Sequence, residues 1–282
     1  MSDQSKILDG QTSFGTFSIG PVSGTLIKIM RRLPTGWLGR RLMFALRRLA
    51  SLGVGENIDT ELFGARMRLQ STGNVSEKRA LYAPQFFDLE ERKALADLAG
   101  DNAVFIDIGA NIGLYSFSTA ASYKRFADTR IIAVEPHPGI SKRLAFNLAL
   151  NPDYPIELVQ VGLGDKDGVM TLVSPDKNLG ESRLVRNGED ISGETHEVRV
   201  TTLLGLLTER KINRLDGMKI DIEGFEEAVL IPFFEKAPEN LLPKLIVIEN
   251  NMKQWDTDLI ALAKEKGYGV ETVTRMNVML RR

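Results

Sequence analysis

The sequence has no cysteine and only two histidines, His137 and His196, among its 282 residues. Without cysteine the chain cannot form a disulfide, a thiolate zinc site, an iron–sulfur cluster or a cysteine nucleophile. Two histidines are too few for a multi-histidine metal site, and His137 is expected in a surface turn. A carboxylate is therefore the default candidate for any general base.

The sequence also has almost no net charge and no long apolar run. Its 36 lysines and arginines against 37 aspartates and glutamates leave a formal charge of −1, which excludes the overall positive field that holds nucleic acid nonspecifically. The longest uncharged stretch, Gly10–Ile27, is too rich in glycine, serine and threonine for a transmembrane helix. The N-terminus lacks a basic start followed by an apolar run. We therefore expect no secretory signal, and a cytoplasmic protein without a nucleic-acid partner.

Residues 1–55 form a basic amphipathic segment. No acidic residue lies between Gly10 and Gly55, but seven basic residues do: Lys28, Arg31, Arg32, Arg40, Arg41, Arg47 and Arg48. Apolar residues are interleaved with them, and Pro34-Thr35-Gly36 predicts a break between two short helices. Such helices pack on a main domain, form a dimer contact or lie on an anionic membrane surface. The sequence leaves these roles open, and with them an oligomeric or membrane-associated state.

Residues 56–282 are predicted to form the main domain. Its lead-in, 56–100, is expected to hold short strands as far as Gln85, followed by a helix that Asp88 caps. From residue 101 onwards, apolar runs alternate with helical stretches, which predicts a doubly wound α/β domain with a mostly parallel sheet.

The core strands are read from continuous apolar runs. They are Val104–Ile108, Arg130–Val134, Ile156–Val161, Gly217–Ile222 and Lys244–Glu249. The last two runs, Tyr268–Val273 and Asn277–Leu280, are predicted to form an antiparallel pair at the sheet edge. Ser174–Thr195 lacks apolar periodicity and is predicted to be a loop between two further strands.

The junction of the first core strand with its helix reads Asp107-Ile108-Gly109-Ala110-Asn111-Ile112-Gly113. Small residues there let a ligand approach backbone amides at a helix start. Dinucleotide-binding turns need G-x-G-x-x-G, whereas this one has G-x-x-x-G preceded by Asp107. A carboxylate would repel phosphate and attract a cationic ligand such as S-adenosylmethionine. Glu135 ends the next strand, where an acid can accept both ribose hydroxyls. The pattern therefore disfavours a nucleotide-dependent oxidoreductase.

Four segments together resemble the FkbM-type methyltransferases: FIDIGANIGLYS, EPHP, VGLGDKDG and MKIDIEGFEEAVL. The resemblance extends from about Leu62 to the C-terminus and leaves out the basic segment. It implies a class I methyltransferase (Rossmann-like) fold with strand order 3-2-1-4-5-7-6 and S-adenosylmethionine as cofactor. It further implies that the loop Gly109–Gly113, including Asn111, holds the methionine end. Glu135 would then hold the ribose, and the Gly164-Asp165 turn would lie on the adenine side.

The ends of the fourth and fifth core strands carry the candidate catalytic acids Asp221, Glu223 and Glu249. Ligands of doubly wound sheets bind beyond the carboxyl ends of the strands. In methyl transfer the acceptor hydroxyl must lose a proton as it attacks, and a carboxylate with a raised pKa suits that task. Glu223 is the first choice, because Gly224 permits a tight turn that presents its side chain. The alternative for Glu223 is the N-cap or an acid in the first turn of the next helix.

Asp221 and Glu249-Asn250 also partly resemble the magnesium ligands of catechol O-methyltransferase, and oxygen ligands suit Mg²⁺. Glutamate replaces aspartate there and no lysine follows Asp221 closely, so a metal is not favoured. The expected function is S-adenosylmethionine-dependent O-methylation of a hydroxyl on a sugar, a glycan or a natural product. The alternative is a noncatalytic cofactor-binding or membrane-associated protein.

Overall fold

The computed structural model describes residues 12–175, 182–185 and 193–282. The α-helices are α1 (Pro21–Met30), α2 (Trp37–Ala50), α3 (Val75–Tyr82), α4 (Leu89–Ala96), α5 (Leu114–Tyr123), α6 (Pro138–Ala149), α7 (Leu203–Glu209), α8 (Glu226–Lys236) and α9 (Leu259–Glu265). The strands are β1 (Asn57–Leu62), β2 (Ala65–Gln70), β3 (Val104–Ile108), β4 (Arg130–Val134), β5 (Ile156–Val159), β6 (Gly162–Leu163), β7 (Gly168–Ser174), β8 (Arg183–Val185), β9 (Glu194–Thr201), β10 (Gly217–Ile220), β11 (Leu245–Glu249), β12 (Gly269–Val273) and β13 (Asn277–Arg281).

Seven strands form the central sheet in the order β12-β13-β11-β10-β3-β4-β5. The strands from β11 to β5 are parallel, whereas β13 pairs antiparallel with both β11 and β12. With the seven strands numbered along the chain, this is the expected order 3-2-1-4-5-7-6. The prediction of a doubly wound sheet with an antiparallel edge is therefore confirmed. The carboxyl ends of the parallel strands meet at one edge, where such folds bind ligands.

Side chains alternate across β3 between two apolar cores. Phe105 packs in the core that α5 and α6 cover, whereas Ile106 and Ile108 pack in the core that α7, α8 and α9 cover. Because helices cover both faces, the parallel strands need apolar residues on both sides, which explains why they read as continuous runs.

A second sheet has the order β6-β9-β7-β8. The predicted strand Ile156–Val161 is shorter in the structure. It ends at Val159 in the central sheet as β5, and Gly162–Leu163, directly beyond the predicted bound, joins the second sheet as β6. The chain therefore leaves the central sheet directly beyond its carboxyl edge.

The predicted loop Ser174–Thr195 is only partly a loop. It contains β8 and the start of β9, while residues 176–181 and 186–192 of the loop lie outside the described residues. Leu184 of β8 and Phe225, the residue before α8, belong to one apolar cluster and line one cavity. Strand β8 therefore lies at the carboxyl edge of the central sheet.

Helices α1 and α2 pack on the main domain. Ile27, Met30 and Met43 are buried there, and the side-chain amide of Gln85 donates to the backbone oxygen of Met30 at 2.7 Å. Among the described residues, no helix combines the length and apolarity needed to cross a membrane.

One expectation for the lead-in is wrong, and a second is only partly confirmed. Strands β1 and β2 form the predicted small β element, but Val75–Tyr82 is a helix. The side-chain oxygen of Asn74 accepts the N–H of Glu77 at 3.1 Å, which is an N-cap that starts a helix. Asp88 is the N-cap residue of α4, as predicted, but its side chain makes no capping hydrogen bond. Its φ is 41°, and its carboxylate instead accepts the hydroxyl of Tyr115 at 3.1 Å.

Candidate active site

Four strand ends converge at the carboxyl edge of the central sheet. Gly109, Glu135 and Asp221 directly follow β3, β4 and β10, and Glu249 is the last residue of β11. A small cavity of about 50 Å³ lies between the turn after β3, the end of β4 and β8. A large cavity of about 280 Å³ extends from the same turn towards α3. The residues lining both cavities are Gly109, Asn111, Asp221 and Glu223.

The turn after β3 is fixed by backbone packing. Gly109 has a φ of +75°, and a Cβ there would lie 1.9 Å from the carbonyl oxygen of Asp221. The close approach of two strand ends therefore requires glycine at this position, and its role in cofactor binding stays a prediction. The N–H of Gly109 donates to the backbone oxygen of Val134 at 3.0 Å. The N–H of Asn111 donates to the carboxylate of Glu135 at 2.9 Å, which ties the turn to β4.

Asp107 and Gly113 lie beneath this turn. Asp107 is fully buried and accepts the hydroxyl of Ser116 at 2.6 Å. Its second oxygen, Oδ1, has no hydrogen-bond partner among the described residues. Burial raises the pKa of Asp107, and the charge of Lys219 opposes that rise. A Cβ on Gly113 would lie 2.7 Å from Leu144, so both predicted residues support the turn from inside.

Glu135, the predicted ribose ligand, lines the small cavity. Its carboxylate accepts the N–H groups of Asn111 and His137, both at 2.9 Å. Burial raises the pKa of Glu135 to about 7, although these hydrogen bonds act in the opposite direction. The small cavity therefore has in its wall a buried carboxyl group that titrates near neutral pH.

The Gly164-Asp165 turn, predicted on the adenine side, does not line the small cavity. The small cavity is lined by the three preceding residues, 161–163. The N–H of Gly164 donates to the backbone oxygen of Thr201 at 3.1 Å, and Asp165 lines a separate groove between β7 and α8. The structure thus brings residues 161–163 to Glu135, and not the predicted pair.

His137 is buried, so the expectation of a surface turn is wrong. Its Nδ1 accepts the N–H of Gly139 at 2.9 Å and caps α6. Its ring packs edge-on against that of His196, with 4.8 Å between centroids. Burial, together with His196, lowers the pKa of His137 to about 4. The ring is therefore neutral near pH 7, as a hydrogen-bond acceptor at a cap must be.

The three candidate catalytic acids lie together. One carboxylate oxygen from each of Asp221, Glu223 and Glu249 lies within 4.8 Å of the others. Glu223 and Gly224 have φ values of 54° and 95°, which make the expected tight turn. A side-chain oxygen of Glu226, the first residue of α8, accepts the N–H of Gly224 at 3.3 Å. Glu223 therefore precedes the helix, and the first-turn alternative does not apply.

Glu249 has a strongly perturbed pKa. Burial, followed by the charges of Asp221 and Glu223, raises this pKa to about 8. The side-chain amide of Asn251 donates to its carboxylate at 2.8 Å and opposes the rise. A carboxyl group with this pKa can hold or release a proton near neutral pH, as acid–base catalysis requires.

Lys219 is a further residue of the site that no sequence motif predicted. Its ammonium group lies 3.0 Å from the carboxylate of Asp221 and 3.4 Å from the carbonyl oxygen of Gly109. Burial disfavours its charge, but the charges of Asp221 and Asp107 outweigh burial and raise the pKa of Lys219. The available signal was a lone lysine in the apolar run GMKIDI, two residues before Asp221 and so on the same side of the strand.

The profile of the methyltransferase FkbM domain matches residues 107–270. Methyltransferase sdnD of Sordaria araneosa is 29% identical over 202 residues, which cover 60% of this chain and 74% of that protein. Methyltransferase 1 of Beauveria bassiana (strain ARSEF 2860) is 27% identical over 149 residues, which cover 46% of this chain and 58% of that protein. A solved structure of methyltransferase FkbM from Methylobacillus flagellatus KT has 16% identity and a TM-score of 0.44, covering 93% of this chain and 58% of that one. The chain thus spans less than two thirds of the last two proteins.

Proposed function

The chain belongs to the family of FkbM methyltransferase domains, and on this premise we propose that it transfers a methyl group from S-adenosylmethionine to a hydroxyl group of a small molecule or glycan. Methyltransferase activity and the class I methyltransferase fold are those of the family. We propose in addition that the cofactor is S-adenosylmethionine, that the methyl group goes to an oxygen atom, and that the residues have the roles given below. The observation that carries this proposal is the meeting of two cavities at one turn, with buried Glu135 on one side and three clustered acids on the other.

The charge around the turn supports a cationic cofactor. Lys219 lies among four carboxyl groups, those of Asp107, Glu135, Asp221 and Glu249. S-Adenosylmethionine carries an ammonium and a sulfonium group and no phosphate, so these acids attract it. They would repel the pyrophosphate of a dinucleotide, which argues against the oxidoreductase alternative. Gly109, Asn111 and Glu135 would hold the cofactor.

The small cavity beside Glu135 must enlarge before it can hold the nucleoside part of the cofactor. Its volume of about 50 Å³ is below the roughly 300 Å³ at which ligand pockets begin. Ser182, Arg183 and Leu184 line it from the side of β8. We therefore expect these side chains to shift when a nucleoside binds beside Glu135.

The large cavity is the proposed acceptor site. Polar side chains line most of it, including those of Asn74, Ser76 and Tyr115. A groove of about 680 Å³ shares the lining residues Arg79, Asp88 and Met276 with it and has α2 as its opposite wall. A polar cavity of this kind suits an acceptor with several hydroxyl groups, such as a sugar or an oxygenated natural product.

Glu223 is the proposed general base. The turn at Gly224 places its carboxylate in the wall that the two cavities share. Glu249 holds a proton at neutral pH, because its pKa is about 8, and Glu223 is the neighbouring carboxylate that accepts the acceptor's proton. Bound S-adenosylmethionine supplies the methyl group.

We propose that transfer needs no metal. Asp221, Glu223 and Glu249 form an oxygen cluster, but the ammonium group of Lys219 already supplies positive charge 3.0 Å from Asp221. A bound Mg²⁺ would compete with that ion pair. Turnover should therefore persist in EDTA, and its loss on chelation with recovery on adding Mg²⁺ would overturn this part of the proposal.

The cofactor assignment is tested by calorimetric titration with S-adenosylmethionine and, separately, with NAD⁺. Glu135→Ala should weaken S-adenosylmethionine binding by about 1–3 kcal/mol, because a buried charged hydrogen-bond partner is lost. Glu265→Ala, which removes an exposed acid on α9, is the control and should leave the affinity unchanged. Unchanged affinity in Glu135→Ala would show that the ribose assignment is wrong.

The chemical step is tested with labelled S-adenosylmethionine and a panel of glycans and hydroxylated natural products. Glu223→Gln should keep the cofactor affinity and lower turnover, since the amide keeps the shape of the side chain and loses its basicity. Wild-type turnover in Glu223→Gln at saturating acceptor would remove the base role. Cofactor binding without transfer to any acceptor would favour the noncatalytic alternative.

A further inference from the structure

Large apolar side chains are exposed on the N-terminal helices. Of those exposed in the described part of the chain, half lie between Val22 and Leu52. Helix α2 already buries Gly39, Met43 and Ala50 against the domain. Its exposed apolar side, here called the outer face of α2, includes the turn after the helix. It exposes Trp37 by 67%, Leu38 by 70%, Leu42 by 45%, Leu49 by 57% and Leu52 by 83%. Burial in the domain therefore accounts for only one side of this helix.

Basic residues are interleaved with these apolar side chains. Arg41 and Arg48 lie at helical spacing from Trp37 on the outer face. The guanidinium group of Arg41 lies 4.4 Å from the centre of the Trp37 ring. By contrast, Arg40 and Arg47 turn towards the domain and lie over the rings of Phe86 and Tyr82, at 5.5 and 5.7 Å. The outer face therefore combines apolar surface with positive charge.

We propose that the outer face of α2 docks on an anionic lipid bilayer. An interfacial helix needs an apolar strip that enters the boundary between headgroups and acyl chains, and basic residues that meet the anionic headgroups. No acidic residue lies between Gly10 and Gly55 to oppose that attraction. The 14 residues of α2 are too few to span a bilayer, so the helix lies in the membrane plane.

Charge also argues against a second copy of the chain as the occupant. A twofold contact would bring the same patch of two copies together. Arg41 and Arg48 of one copy would then face arginines of the other, without an acid of the segment to pair with them. A bilayer that contains anionic lipid offers an apolar phase and the opposite charge at once.

The test is flotation of the full chain with vesicles of phosphatidylcholine, with or without phosphatidylserine. The chain should float only with anionic vesicles, and salt should weaken its binding. Arg41→Glu with Arg48→Glu should reduce binding by at least about 25-fold, since each basic residue near an anionic surface contributes about five-fold. Trp37→Ser with Leu38→Ser should reduce binding without changing its salt dependence.

Matched controls change exposed residues elsewhere on the protein. Val169→Ser with Val273→Ser removes apolar surface, and Lys253→Glu with Lys264→Glu reverses charge. Both should bind as the wild type does, and all variants should keep its melting temperature. No flotation of the wild type, equal flotation with both vesicle types, or controls that lose binding as strongly would overturn the proposal. A dimer that the Trp37 and Leu38 changes dissolve would also overturn it, in favour of an interface between copies.

Discussion

Replacing Lys219 with methionine tests whether the acids of the site depend on one buried cation. Methionine keeps the length of the side chain and removes its charge. Asp221 then loses an ion-pair partner at 3.0 Å, while Asp107 and Glu249 lose the nearby positive charge that favours their ionised forms. We expect the protein to remain folded but to lose stability in a way that depends on pH.

The magnitude follows from the exposure of the two partners. Breaking a fully buried ion pair costs about 3–5 kcal/mol, because the remaining charge is left uncompensated. Lys219 is buried, but the Asp221 side chain is 38% exposed, so water compensates part of the loss. We therefore expect a decrease of about 2–3 kcal/mol in the free energy of unfolding at about pH 8. Without the lysine, the pKa values of the acids rise in the folded state. A carboxyl group whose pKa is higher in the folded than in the unfolded state destabilises the fold at any pH above the unfolded-state pKa. The loss of unfolding free energy in Lys219→Met should therefore shrink as the pH falls towards about 5.

Urea unfolding at these two pH values measures the effect, with Lys244→Met as the matched control. Lys244 also forms a 3.0 Å ion pair, with Asp216, but its side chain is 56% exposed and Arg214 also holds Asp216 at 2.7 Å. The control should cost less than about 1 kcal/mol, as exposed pairs do. Equal losses in the two variants, or a Lys219→Met loss that does not change with pH, would refute the reasoning.

Two further predictions concern the turn and its acids. Affinity for S-adenosylmethionine should rise with pH through the pKa values of Glu135, about 7, and Glu249, about 8, because a cation binds the ionised carboxylates better. Calorimetry in buffers of different ionisation enthalpy should detect protons released on binding, and their absence would contradict the charge argument. Gly109→Ala should prevent stable folding, since its Cβ would lie 1.9 Å from the Asp221 carbonyl oxygen. Gly267→Ala, at φ +88° in open space, should cost only about 1–2 kcal/mol. Similar melting temperatures for these two variants would refute the packing role of Gly109.

The sequence predicts the strands whose bounds follow from the pattern of apolar residues along the chain. Val104–Ile108 and Arg130–Val134 have the predicted bounds, because strands covered on both faces need continuous apolar runs. The strand order required the family resemblance, since apolar runs do not specify their neighbours. Helix α3 could have been found from the sequence. Asn74 followed three residues later by Glu77 is an N-cap pattern.

The sequence predicts which residues lie at the site, but not the burial and the pKa values that determine what each of them does. Motif position placed Glu135, Asp221 and Glu249 at the carboxyl edge, and the structure has them there. The burial of Asp107 and Lys219 depends on which elements cover them, and that is a property of tertiary packing. The pKa of Glu249 depends on three charges from a different strand end, so no reading of its own sequence neighbourhood could supply it.

The most direct test of the proposed cofactor site is a crystal structure of the protein with S-adenosylhomocysteine, the product left after methyl transfer. We predict ribose hydroxyls hydrogen-bonded to Glu135, and a sulfur atom where the two cavities meet, beside Asp221 and Glu223. Electron density for the ligand at another place on the protein, or a ribose without contact to Glu135, would contradict this prediction.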